Sequence, residues 1–137
     1  MTKPPTLLVV DNDISTRLRL KKLGESLGFR VLTAHSGDHA LERLRDQPTV
    51  MTVITEVNMK PVGGLTILRH IRSSRSEEMR PKTLIQTNCP TGFDRTERVN
   101  FTQWVPEHFG DFASFALKSP SLAVERTFLE EILAARQ

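Results

Sequence analysis

The features that this sequence lacks narrow its class. Its 137 residues include one cysteine, Cys89, so no internal disulfide can form, and a lone loop thiol favours a reducing compartment. No apolar run is long enough to span a membrane, and the opening segment MTKPPT has no signal-peptide core. We therefore expect one cytoplasmic domain with no membrane association.

A large excess of charge of one sign is also absent. The chain carries 19 basic and 16 acidic residues, for a formal net charge of +3. Basic residues are interleaved with acidic ones, as in ERLRD (residues 42–46), which is typical of solvated helix faces. A nucleic-acid partner is therefore the weakest alternative, and it would show a steep dependence on salt.

Common catalytic motifs are missing as well. The sequence has no glycine-rich phosphate loop, no nucleophile elbow and no zinc-binding pattern. Its four histidines lie on separate stretches, and none is paired with a spaced cysteine or carboxylate motif. We therefore expect no enzymatic activity.

Short apolar runs alternate with amphipathic stretches along the chain. Residues 6–10 (TLLVV) stand between two prolines and an acidic turn, and their apolar character on both faces indicates a buried strand. Further strands are predicted at residues 29–34, 50–55, 82–87 and 101–105, with helices between them. Because strands that alternate with helices pair in parallel, the pattern predicts an α/β fold, a doubly wound five-stranded sheet in a three-layer sandwich.

Two regions depart from this regular alternation. Residues 88–100 hold Pro90 and Gly92 with few apolar side chains, so we expect any helix there to be short or frayed. The end of the chain is instead rich in helical pattern, and Pro120 begins a segment that predicts an extra C-terminal helix.

Polar residues follow the predicted strands. In an open parallel sheet, the functional crevice lies beyond the carboxyl ends of the strands. Carboxylates, a hydroxyl and an amide that converge there predict a site for a hard cation or a phosphate group. The residues at these ends are Asp11, Asn12 and Asp13 after the first strand, Glu56 after the third, Thr87 after the fourth and Val105 after the fifth.

Three ordered segments resemble the receiver domain family of response regulators in two-component signalling. LVVDND (residues 8–13) resembles the family's first strand and acidic cluster, EVNMKPVGG (56–64) its phosphoacceptor segment, and LIQT (84–87) its fourth strand with the switch threonine or serine. The resemblance implies a flavodoxin-like receiver domain over residues 1–118. Residues 119–137 then form a helical extension that packs on this domain or mediates association.

Four positions depart from the pattern of the family. Glu56 stands where the family has its phosphorylated aspartate, and Asn12 stands at the second acidic position. Lys60 replaces the proline of a Met-Pro pair, and Val105 stands at the position of the lysine that binds the phosphoryl group. Phosphoryl transfer depends on positioning and charge neutralisation, so a longer carboxylate and a missing lysine argue against it.

Glu56 supports a further hypothesis, partial mimicry of the phosphorylated state. Its carboxylate could reach the hydroxyl of Thr87, the contact that in the family couples phosphorylation to a shift of the fourth and fifth strands. Alternatively, Glu56 is a tolerated polar residue at the mouth of the pocket.

We expect no required cofactor, and at most weak binding of Mg²⁺ through Asp11, Asp13, Glu56 and the backbone carbonyl of Asn58. Asp13 is also the predicted N-cap of the first helix.

These features predict an atypical receiver domain in a bacterial pathway that acts without phosphorylation, by binding a signalling protein or an output domain. The alternative is a working Mg²⁺-dependent phosphoacceptor that uses Asp11 or Asp13. The terminal apolar stripe either packs on its own domain, forms a homodimer or docks a partner helix. The predicted interface residues are Trp104, Phe128, Leu129, Ile132 and Leu133.

Overall fold

Five strands and five helices alternate along residues 3–88 and 95–136, the part of the chain that this computed structural model describes. The side chains of residues 95–100 and the predicted loop thiol Cys89 lie outside the described residues. A single turn of 3-10 helix, Glu77–Met79, precedes the fourth strand. The strands are β1 (Thr6–Val10), β2 (Arg30–Ala34), β3 (Val50–Glu56), β4 (Lys82–Thr87) and β5 (Ala113–Leu117), and the helices are α1 (Ile14–Ser26), α2 (Gly37–Asp46), α3 (Gly64–Ser74), α4 (Arg95–Phe109) and α5 (Ala123–Ala135).

The strands form one parallel sheet in the order β2-β1-β3-β4-β5. Every residue of β1 is buried, because alternate side chains point to opposite faces and helices cover both. Leu8 and Val10 pack with α2, α3 and α4, whereas Leu7 and Val9 pack with α1 and α5. The doubly wound sandwich predicted from the sequence is confirmed.

Side-chain caps fix where the first two helices begin. Asp13 accepts hydrogen bonds from the backbone N–H of Thr16 at 3.0 Å and from its hydroxyl at 2.6 Å, so the predicted N-cap of α1 is confirmed. Ser36 caps α2 through the N–H of His39 at 3.1 Å. Gly28 follows α1 with a φ of 100°, a backbone conformation that glycine adopts without strain.

The prediction of a fifth strand at residues 101–105 is wrong. These residues lie inside α4, and β5 is formed by residues 113–117. Phe101, Val105 and Phe109 are spaced four residues apart, so they share the face of α4 that packs on the core. Pro106 is accommodated within the helix, one turn before its end, and its carbonyl accepts from the N–H of Gly110.

This shift also changes the place of the C-terminal helix. With β5 at residues 113–117, α5 is the fifth helix of the alternation rather than an addition to it. Leu129 is fully buried in the core between α1, α5 and the sheet, and Leu122, Phe128, Ile132 and Leu133 pack around it. Among the described residues, no helix is long and apolar enough to cross a membrane.

Candidate functional site

Three charged side chains meet at the carboxyl ends of β1, β3 and β5. Val10 of β1 pairs with Thr55 of β3, which brings Asp11 and Glu56 to the same edge of the sheet. Lys118 directly follows β5, and its Nζ donates to Asp11 Oδ2 and Glu56 Oε1 at 2.7 Å each. One ammonium group therefore bridges two carboxylates from different strands.

This ion-pair cluster is largely shielded from solvent. The side chains of Asp11, Glu56 and Lys118 are 1%, 9% and 12% exposed. Burial alone would lower the pKa of Lys118, but hydrogen bonds to Asp11 and Glu56 and their negative charges outweigh it and hold the pKa above its ordinary value. Lys118 is therefore firmly charged at neutral pH.

Asn58 links Glu56 to the predicted switch residue Thr87. The second carboxylate oxygen of Glu56, Oε2, accepts from the backbone N–H of Asn58 at 3.0 Å. The side-chain amide of Asn58 donates to the hydroxyl of Thr87 at 3.1 Å. The contact expected from mimicry, Glu56 directly to Thr87, is thus replaced by a bridge through Asn58.

The three residues of the acidic turn after β1 have separate roles. Asp11 is buried, its Oδ1 accepts from the backbone N–H of Asp13 at 2.9 Å, and its carbonyl accepts from Arg17 at 2.7 Å. Asp13 is exposed and caps α1; its hydrogen bonds from the hydroxyl and the N–H of Thr16 lower its pKa. Asn12 is exposed to solvent. Only Asp11 therefore belongs to the ion-pair cluster.

The oxygen atoms of this pocket do not form a metal centre as arranged. Across the described side chains, residues 3–88 and 101–136, no three Asp, Glu, His or Cys residues are grouped so as to hold a metal ion. Lys118 bridges Asp11 and Glu56, and Asp13 is committed to the helix cap. Because Lys118 already binds one oxygen of each of these two carboxylates, the residues present lack the set of free oxygen ligands that a divalent cation needs in this arrangement.

The prediction that no lysine stands at the end of the fifth strand is wrong. Val105, the residue assigned to that position, is fully buried on the inner face of α4 and does not follow a strand. Lys118 occupies the end of β5, with Pro120 two residues later. Sequence reasoning missed Lys118 because it ended the fifth strand at Pro106, although Lys118 precedes the later proline.

The predicted interface residues lie in different surroundings. Trp104 lies on α4, is 38% exposed and stacks on His108 with ring centroids 4.5 Å apart. Phe128 and Ile132 are half-buried and line a cavity of about 400 Å³ between α5 and the amino-terminal ends of β3, β4 and β5. Leu129 has no exposed surface, so its assignment to an interface is wrong.

Comparisons with known proteins agree on one family. A family model described as "Response regulator receiver domain" matches residues 7–94. The rice protein "Two-component response regulator ORR3" (Oryza sativa subsp. indica) is 33% identical over 92 residues, which cover 66% of this chain and 70% of that protein. "Two-component response regulator ORR11" of the same rice is 31% identical over 93 residues, 67% of this chain. The match spans 63% of ORR11, less than two thirds of its length.

Solved structures give the same fold. The crystal structure of a response regulator receiver domain protein from Clostridium thermocellum matches with a TM-score of 0.76 and 20% identity, and the match covers 96% of both chains. A receiver protein from Pseudomonas putida matches with a TM-score of 0.69 and 25% identity, over 93% of this chain and 98% of that one. The similarity thus includes α5, which lies beyond the segment matched by the family model.

Proposed function

This chain belongs to the response regulator receiver domain family of two-component signalling, and from that premise we propose that it works without being phosphorylated, by binding a protein partner. The ion-pair cluster of Asp11, Glu56 and Lys118 then has a structural role and is not a site of phosphoryl transfer. We place this activity in the cytoplasm and propose no enzymatic role. That the pathway is bacterial stays a prediction, because the similar proteins come from both rice and bacteria.

The engagement of Glu56 is the observation that carries the proposal. An in-line attack on a phosphoryl group needs a carboxylate oxygen that is free and correctly placed. Both oxygens of Glu56 already accept hydrogen bonds, Oε1 from Lys118 and Oε2 from the N–H of Asn58. The side chain is also one methylene longer than an aspartate, which moves its carboxylate toward the space that a phosphoryl group would fill.

Because Lys118 is present, the proposal depends mainly on Glu56. A cation at the end of β5 is the group that would stabilise charge on the phosphoryl oxygens, so a missing lysine no longer supports the proposal. Of the four departures, Glu56, the exposed Asn12 and Lys60 remain, and Glu56 is the one that lies in the ion-pair cluster. Replacing the glutamate therefore tests the proposal directly.

The test is phosphorylation of matched variants by a small-molecule donor. Wild type, Glu56→Asp and Asp11→Asn are incubated with acetyl phosphate and Mg²⁺, and each intact mass is measured after circular dichroism has confirmed the fold. We expect no phosphoryl adduct on wild type and one adduct on Glu56→Asp, since the shorter side chain restores the geometry while Lys118 is retained. Asp11→Asn is the control that removes the other carboxylate of the cluster.

Two results would change the interpretation. A wild-type adduct that disappears in Asp11→Asn would overturn the proposal and favour the alternative, a phosphoacceptor that uses an aspartate of the acidic turn. If Glu56→Asp also forms no adduct, another residue of the pocket prevents phosphorylation. Asn12→Asp is then the next variant to test.

The partner surface that we propose lies on α4, β5 and α5. Trp104 is the most exposed aromatic side chain described there, and the cavity beside Phe128 and Ile132 offers an apolar recess. Large apolar side chains of a signalling protein or output domain fit this surface. Light scattering coupled to gel filtration should show a monomer when the chain is alone. A concentration-dependent dimer that Trp104→Ala or Ile132→Glu abolishes would make a second copy the partner instead.

A further inference from the structure

Glu125 is a buried carboxylate without a hydrogen-bond partner. It lies in the first turn of α5 and has no exposed surface. Within the described part of the chain, neither of its carboxylate oxygens is hydrogen-bonded, and the amide oxygen of the buried Gln86 is also without a partner. Such groups are costly, because an ionised carboxylate loses its hydration and gains nothing in return.

The usual local partner of Glu125 is already engaged. A glutamate at the third position of a helix often accepts from the N–H of the N-cap residue. Here the N-cap is Leu122, and its N–H donates to the carbonyl of Ser119 at 3.1 Å. Burial raises the pKa of Glu125, against the opposing effects of its own backbone N–H and the charges of Arg19 and Lys118.

Glu125 and Lys118 line the same cavity. A space of about 200 Å³ separates α1, β4 and the start of α5, and its lining includes Gln86, Lys118 and Glu125. Lys118 therefore has carboxylates on two sides, the bound pair Asp11 and Glu56 and the unbound Glu125. A lysine carries its ammonium on a flexible four-carbon stem, so it can turn from one set of acceptors to the other.

We propose that Glu125 is the second acceptor for Lys118. Three buried carboxyl groups, Asp11, Glu56 and Glu125, surround one largely buried ammonium group, and in this structure it binds the first two. When Asp11 and Glu56 no longer accept its hydrogen bonds, Lys118 moves to Glu125. The state of the pocket is then transmitted to the first turn of α5. This inference rests on the proposed function only in treating Glu56 as an ion-pair partner.

The segment between Lys118 and Glu125 suits such a movement. Leu122 has a φ of 57°, a left-handed conformation that is strained for a branched side chain and is typical of switch regions. Ser119 and Ser121 hold the segment through hydroxyl groups 2.9 Å apart. Arg19 donates to the carbonyl of Pro120, so a second cation lies close to the same cavity.

A double-mutant comparison tests the inference. Glu125→Gln is made in wild type and in a background that carries Asp11→Asn and Glu56→Gln, and urea unfolding is measured for each protein. In wild type we expect Glu125→Gln to raise the urea midpoint, because it removes an unpaired buried charge. In the neutralised background the same change should lower the midpoint, because it removes the carboxylate that then pairs with Lys118. Each shift should be on the order of 0.5–1 M urea.

The reversal of sign is the result that a merely structural Glu125 would not give. A shift of the same direction and size in both backgrounds would overturn the inference. Arg19→Gln is the matched control, and a reversal that vanishes with this change would identify Arg19, not Lys118, as the partner of Glu125. Circular dichroism confirms that the near-isosteric variants fold.

Nuclear magnetic resonance gives a second, independent readout. Scalar coupling from Lys118 Nζ should connect to the carboxyl carbons of Asp11 and Glu56 in wild type, and to that of Glu125 in the neutralised background. Coupling that never reaches Glu125 would contradict the inference. Failure here is distinct from failure of the proposed function, since the couplings and the sign reversal are measured without a phosphodonor and do not depend on whether wild type can form an adduct.

Discussion

Lys118 stabilises two buried carboxylates at once, so its removal leaves both without a cation. We predict that Lys118→Met lowers the free energy of unfolding near neutral pH by about 3–5 kcal/mol, the usual effect of breaking a buried ion pair from one side. Urea unfolding followed by circular dichroism measures the change. Lys22→Met is the matched control, because Lys22 is exposed on α1 and should alter the midpoint little. Equal effects of the two substitutions would contradict this account of the cluster.

The raised pKa of Lys118 predicts how this stabilisation depends on pH. Because the pKa is higher in the folded chain, the contribution is complete below the ordinary lysine value of 10.5 and is lost as the pH rises through the folded value. The stability difference between wild type and Lys118→Met should therefore be constant around neutral pH and shrink in strong alkali. A difference that already declines below 10.5 would show that the pKa of Lys118 is lowered instead.

Glu125 should make the stability of the fold depend on pH in the acidic range. Burial raises the pKa of its carboxyl group, so the folded state favours the protonated form. This contribution is complete below the ordinary value of 4.5 and is lost as the pH rises through the folded pKa. Relative to wild type, Glu125→Gln should therefore gain stability between acidic and neutral pH, as measured by urea unfolding. Arg19 and Lys118 are the charged groups beside this site, and a pH-independent difference would indicate that one of them neutralises Glu125.

The sequence allowed part of this site to be predicted, for identifiable reasons. Asp11, Glu56 and Thr87 each follow a short apolar run whose end is marked by a polar residue, so their place at one edge of the sheet was foreseeable. The role of Asn58 as a bridge was not, because it depends on the path of the loop after β3. The unpaired state of Glu125 was equally hidden, since it arises from the packing of α5 against β4 and α1.

At the scale of elements, the boundary between α4 and β5 shows how a proline misleads. Residues 101–105 are rich in apolar side chains and end at Pro106, which is typical of a strand followed by a turn. The spacing of Phe101, Val105 and Phe109 was the available counter-signal, because a repeat of four residues fits a helix and not a strand. Once the strand is placed at residues 113–117, Lys118 is the residue that follows it.

Helix α5 provides a prediction at the same scale. Leu129 is fully buried against β1 and α1, whereas Val124, on the same helix, is 42% exposed. Leu129→Ala should lower the free energy of unfolding by about 2–5 kcal/mol, since it leaves a cavity in the core. Val124→Ala is the matched control and should change it by less than about 0.5 kcal/mol. Chemical unfolding measures both, and similar effects would mean that α5 packs loosely on the sheet.

The molecule as a whole depends on coverage of both faces of the sheet. One core lies between the sheet and α2, α3 and α4, and the other lies between the sheet and α1 and α5. Two helices therefore cover the second face, where the buried side chains of three strands converge. Loss of α5 would expose much of this apolar surface, which a small domain cannot replace by other contacts. The buried strand residues of this face are Leu7, Val9, Ile54 and Leu84.

Truncation after Lys118 tests whether residues 119–137 are a separable extension. We predict that the shortened chain loses cooperative unfolding and binds a hydrophobic dye, because the apolar face beneath α5 becomes exposed. Thermal unfolding by circular dichroism and dye fluorescence measure this. A chain that ends at Leu133 is the control. It keeps Leu129, and the described residues that it removes, 134–136, are exposed. A cooperative transition in the chain that ends at Lys118 would mean that the core does not need α5, and that this helix is free to bind a partner.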